Sequence, residues 1–171
     1  MKKVLENLCE ENKLISIYCD ESEFENFMVG KILAVYSQHV LIENYSPEGK
    51  YDGISCFPIE DIIKFDRSSL YLEQIKKLKE ENCKKENSNF VGKDIITEIL
   101  VYLQMKKKPA EFYLSWGERI EGYVQSILNE EYLICDVADS YGNIESETLF
   151  SIQDIRILSY GTVQLNSYLK N

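Results

Sequence analysis

The chain of 171 residues holds one histidine, His39, so any imidazole base, dyad or triad has a single candidate. Such a base needs a neighbour that orients it. His39 instead lies between Gln38 and Val40 in an expected hairpin turn, where it reads as a solvent-facing side chain. Five cysteines (Cys9, Cys19, Cys56, Cys83, Cys135) are far apart, with no CxxC pair. Zinc sites cluster their ligands at short spacings and disulfide frameworks use even counts, so these read as reduced packing thiols, and no metal or cofactor is expected. No GxxxxGK[ST], GxGxxG or GxSxG run occurs, which leaves phosphate loops, dinucleotide sites and hydrolase elbows without support. Asp61 and Asp154 recur at equivalent places. Their expected role is a turn carboxylate that accepts backbone N–H groups. The inventory reads as non-enzymatic.

What remains is the chemistry of contact. Twelve tyrosines and one tryptophan are available, and a tyrosine ring joins a large rigid apolar body to a polar tip, which suits interfaces. Tyr36, Tyr45, Tyr51, Trp116, Tyr132, Tyr141 and Tyr160 are the aromatic candidates. Of these, Tyr36, Trp116, Tyr132 and Tyr141, with His39, are the expected partner-contact residues. Core or rim packing is the competing role for Tyr36 and Tyr132; for Trp116, ahead of Gly117, it is covering an open barrel end. Lys76, Lys77, Lys106, Lys107 and Lys108 are the candidates for nucleic-acid contact, against the simpler roles of solvated charge or of neutralising acidic neighbours in the same chain.

Charge is partitioned along the chain. The net value is −10, yet residues 14–66 and 110–171 each carry three basic against ten acidic side chains, while residues 67–109 carry ten basic against six. Polyanions should be repelled by both acidic stretches and a basic protein attracted.

The elements that hold these side chains come in two copies. Gly30, Leu41, Ile42, Gly49, Phe57, Ile59, Asp61 and Ile62 match Gly122, Leu133, Ile134, Gly142, Phe150, Ile152, Asp154 and Ile155, with a shift of one residue. A recurrence of this length marks a packed unit used twice. Val4, Leu5 and Leu8, like Ile99, Leu100 and Leu103, have helical spacing, with Asp94 as an N-cap. Each helix precedes five strand-like runs: 14–19, 27–36, 40–45, 53–58 and 62–65, then 111–115, 119–127, 132–137, 147–150 and 155–158. Sheets of five short strands limit exposed edges by curling into a small barrel. Residues 69–85 read as a helix with Leu70, Ile75 and Leu78 on its apolar side, broken at 87–92.

The stretch 111–124, through Trp116, Gly117 and Ile120-Glu-Gly-Tyr-Val124, resembles the first motif of Sm-like proteins, and 27–35 is similar, after a longer loop at 20–26. The resemblance covers about 55 residues of each half and implies an SH3-like barrel led by a helix. It also implies RNA binding or ring assembly. The RNA-binding pattern of that family is not reproduced: the turns read Tyr36-Ser-Gln-His39 and Leu128-Asn-Glu-Glu131, and Ile59-Glu-Asp-Ile62 and Ile152-Gln-Asp-Ile155 stand where a basic residue beside a glycine is expected.

The expected protein is mainly β with helices (α+β): two tandem five-stranded Sm-like barrels, each preceded by a short helix. Residues 1–66 and 94–171 are the barrel units, and 67–93 a basic helical connector. The expected role is that of a cytoplasmic, non-enzymatic adaptor acting through protein contacts with a basic partner or a second copy. RNA binding and an acidic, immunity-like inhibitor are the alternatives. No membrane association is expected, because no apolar run reaches the roughly 20 residues a span needs.

Overall fold

Leu5 and Leu8 lie one turn apart on α1 (Lys2–Glu11) and are buried, whereas Val4 faces solvent. The computed structural model describes residues 1–19, 27–78, 90 and 94–168, in two units, Met1–Glu86 and Asn87–Asn171. The expected loop at 20–26, Cys83, Lys79, Lys84, Lys85 and most of the break at 87–92 lie outside the described residues.

In the first unit α1 leads into β1 (Leu14–Tyr18), β2 (Met28–Val35), β3 (His39–Tyr45), β4 (Tyr51–Pro58), a 3-10 turn (Ile59–Asp61), β5 (Lys64–Asp66) and α2 (Leu70–Leu78). The second unit repeats this as α3 (Ile95–Lys106), β6 (Pro109–Leu114), β7 (Arg119–Leu128), β8 (Tyr132–Ala138), β9 (Ile144–Ser151), a 3-10 turn (Ile152–Asp154), β10 (Ile155–Tyr160) and α4 (Val163–Tyr168). Strand order is β5-β1-β2-β3-β4 in the first and β10-β6-β7-β8-β9 in the second, with antiparallel pairing within each. The protein is thus mainly β with helices.

Glycine spacing is a steric requirement in both copies. A Cβ on Gly30 would stand 2.5 Å from the Glu43 carbonyl oxygen, and one on Gly122 would stand 2.2 Å from that of Asp136. A bulge follows at the same place in each unit, between Ile32 and Ala34 in β2 and between Val124 and Ser126 in β7. Such an extra residue sharpens twist and bends the strand. The next turn holds the one-residue difference between copies. Tyr36 N–H donates to His39 O (2.8 Å) in the first, whereas Asn129 and Glu130, both with positive φ, extend the second.

That extra residue corrects the expected alignment. Gly30 pairs with Asn44, and Gly122 pairs with Val137. The structural counterpart of Leu41 is therefore Ile134, not Leu133, and that of Ile42 is Cys135. A slip of one residue exchanges the faces of a strand, so Ile42 is fully buried while Ile134 is only half-buried.

The helix read as a connector is part of the first unit. Its apolar side consists of Leu72 and Ile75, which pack on Val29 and Tyr45, with Leu14 and Tyr71 at the margin; Leu70 and Leu78 are exposed, contrary to expectation. Ser69 caps it, its Oγ accepting the Leu72 N–H at 3.1 Å. α4, which the sequence reading missed, is its copy: Thr162 Oγ1 accepts the Leu165 N–H at 3.1 Å, and Leu165 and Tyr168 pack on Ala138 and Tyr123. The repeated module is helix, five strands, helix. Capping by Ser or Thr three residues ahead of the first buried leucine is a legible start signal.

α4 is latched by polar contacts as well. Tyr168 Oη donates to Glu121, Gln164 Nε2 reaches both Glu121 oxygens at 3.0 and 3.1 Å, and Arg119 bridges Glu121 and Glu111. Burial, then the bond to Glu121, raises the Tyr168 pKa above the usual 10.0. A raised folded-state value means the contribution is complete below pH 10.0 and lost as pH rises through the folded value. Alkaline titration should therefore release α4 before global unfolding, with the Tyr168→Phe protein showing no such step by NMR at the α4 amides.

Candidate protein-docking face

Side chains of directly opposed residues share a face of a sheet. In β7, β8 and β9 the register opposes Leu128 to Tyr132, Ser126 to Ile134 to Leu149, Asp136 to Glu147, and Ala138 to Ile144. The opposite side carries Val124, Leu133, Cys135 and Phe150, all buried, and is the core. The first set therefore lines the outer side. α4 covers only its Ala138 and Tyr123 end.

The rest of this face is open. Leu149 is 56% exposed, Ile144 53%, Tyr132 42% and Leu128 39%. In the first unit the positions equivalent to Ile134, Leu149, Asp136 and Glu147 are closed: Leu41 opposes Cys56 and Glu43 opposes Ile54, and these four side chains are at most 4% exposed. Glu43 is buried there with the Tyr45 hydroxyl donating to it. The central positions of these strands are thus buried in one copy, while in the other they hold the exposed Leu149 beside two carboxylates. β9 is also the terminal strand of its sheet, paired with β8 alone among the described residues.

Charge is equally one-sided. Residues 120–155 contain eight carboxylates and no Lys, Arg or His. Two of them, Asp136 and Glu147, are directly opposed on the open face. Like charges placed so repel. Gln125 Nε2 donates to Glu147 at 2.9 Å, from the bulge of β7. The thiol beneath has no chemistry to offer at neutral pH: burial and the adjacent Asp136 push Cys135 up to about 12.

Of the expected contact residues, only Tyr132 belongs to this face. Tyr36 is half-buried beside the β2–β3 turn, and His39 is not a solvent-facing turn residue but opens β3, half-buried and opposed to Pro58. Trp116 is 55% exposed in the β6–β7 turn, its indole N–H donating to Glu118 at 2.8 Å; it and Tyr132 stand at opposite ends of β7. Tyr141 lies in the β8–β9 turn, 73% exposed, its backbone N–H held by Asp139 at 2.8 Å. Lys76 and Lys77 are exposed in the last turn of α2, in the first unit. Lys106 and Lys107 end α3 in the second, and Lys108 lies 5.9 Å from the Tyr102 ring centre. Asp154 also departs from expectation, since its carboxylate accepts the Ser115 hydroxyl at 2.9 Å; the Ser115 N–H goes to its backbone carbonyl.

The sequence reading missed Leu128, Ile134, Asp136, Ile144, Glu147 and Leu149. Their signal was the run without a basic residue, together with Glu147 standing where the first copy has Ile54. Among the described residues no group of His, Cys, Asp and Glu is placed to hold a metal, and no helix is long and apolar enough to cross a membrane. A scan against protein-family models and a search of curated proteins find no match to this chain.

Proposed function

We propose that this is a non-enzymatic protein-binding protein of two Sm-like, SH3-like barrels, in which the second unit docks a partner and the first has its equivalent surface sealed. The contrast at one pair of positions carries the reading: Cys56 is fully buried and Leu149 is 56% exposed. Exposed apolar patches bounded by polar groups mark interaction surfaces. The strand order and the glycine-bent, bulged second strand support the barrel assignment. Acidity across β7–β9 favours a protein over RNA, because polyanion binding depends on positive side chains facing the phosphates.

A pull-down with the full chain tests it. The wild type should retain a protein partner that a Leu149→Arg variant, folded by circular dichroism, does not. Equal retention by both, or tight and steeply salt-dependent binding of labelled single-stranded RNA in place of any protein, would remove this function from the face.

A further inference from the structure

Resting on the docking reading above, we infer that the occupant of this face is an extended basic segment of a partner protein, a Lys or Arg flanked two residues away on each side by an aliphatic residue, which adds along the free edge of β9. Three features select it. The edge belongs to an eight-residue strand, Ile144–Ser151, paired on one side only among the described residues. An unpaired edge presents alternate backbone N–H and C=O groups to an incoming strand. Side chains of an added strand would continue the rows already present on the outer face, where the period of two sets what each row meets.

Those rows alternate in chemistry. Along β9 the outer face carries Ile144, Glu147, Leu149 and Ser151, because the irregularity between Val137 and Ala138 brings Ile144 opposite Ala138. Behind Glu147 stands Asp136, and behind Leu149 stands Ile134. A strand laid here meets an apolar row, then a doubly acidic row, then an apolar one. A cation in the middle row relieves the repulsion between the two carboxylates, and aliphatic neighbours cover Ile144 and Leu149. An acidic segment would add charge to a stretch, 120–155, that already holds eight carboxylates and no base. A neutral segment would leave the opposed pair uncompensated.

The corresponding place in β4 has different chemistry. At the place of Glu147 it has Ile54, buried to 1%. Polar replacement at an edge guards against indiscriminate pairing, so Glu147 both blocks unspecific strand addition and selects a basic strand, which is how specificity is built from a repulsive element.

The test uses the full-length protein and two synthetic eight-residue peptides, one with Val, Lys and Val at successive alternate positions and Thr between them (Val/Lys) and one with Thr in place of that Lys (Val/Thr), followed by NMR and amide hydrogen exchange. The Val/Lys peptide should shift the amides of β8 and β9 and slow exchange at outward-pointing β9 amides. Glu147→Lys should weaken it about 10-fold or more, while Glu48→Lys, the same charge change in a turn of the first unit, should leave it unaltered. Equal binding of the Val/Thr peptide at β9 would overturn the basic selection and leave the docking reading standing. Failure of both peptides to perturb β8 or β9 would overturn both. Concentration-dependent shifts at β9 without peptide would replace the partner by a second copy of the chain.

Discussion

Gly122→Ala should destabilise the protein by about 3 kcal/mol, seen as a lowered urea midpoint at unchanged slope. The new Cβ would lie 2.2 Å from the Asp136 carbonyl oxygen, 2.9 Å from Cys135 Sγ and 3.0 Å from the Asp136 carbonyl carbon. Two of the three are backbone atoms of the paired strand, so relief requires β7 and β8 to separate, at the bend that shapes the sheet. Gly30→Ala should act in the same direction through its 2.5 Å approach to Glu43 O. Gly117→Ala separates steric clash from backbone strain. It sits at φ +89° with nothing within 4 Å of its Cβ position, so its cost is that of the left-handed conformation alone, about 1 kcal/mol. If Gly122→Ala cost no more than Gly117→Ala, the close strand approach would be wrong.

How much of this was readable follows from which signals are local. The glycines, the Asp94 cap, whose carboxylate takes the Thr97 hydroxyl at 2.6 Å, and the β-rich runs declare themselves within a few residues. Strand limits were less legible: β9 begins at Ile144, three residues before the expected start, because Glu145 and Ser146 have weak strand preference and this end is held by pairing with β8. α4 escaped because six residues give less than two turns of periodicity. The face itself was hidden by the alignment: with Ile134 matched to Ile42, a core position, its outward direction could not be seen. Only the register of β8 on β7 places it beside Leu149.

The duplicated module makes a sharper demand on the helix that closes each unit. In the first unit a tyrosine on the strand, Tyr45, meets an isoleucine on the helix, Ile75; in the second an alanine on the strand, Ala138, meets a tyrosine on the helix, Tyr168. The bulk has crossed the interface. Ala138→Tyr alone should overpack the contact and cost about 2 kcal/mol, since Tyr168 already fills the space and its Cβ lies 2.8 Å from where a Gly142 Cβ would be. Tyr168→Ile alone should cost about 2–3 kcal/mol, through lost volume and the hydroxyl taken from Glu121. The double substitution rebuilds the first unit's arrangement, and it even supplies a hydroxyl partner, because Asp136 precedes position 138 as Glu43 precedes Tyr45. The two changes should therefore be coupled by about 1–2 kcal/mol in a double-mutant cycle measured by urea denaturation. Strict additivity would mean that α2 and α4 are unrelated helices that happen to follow similar strands, and the module would shrink to a helix and five strands.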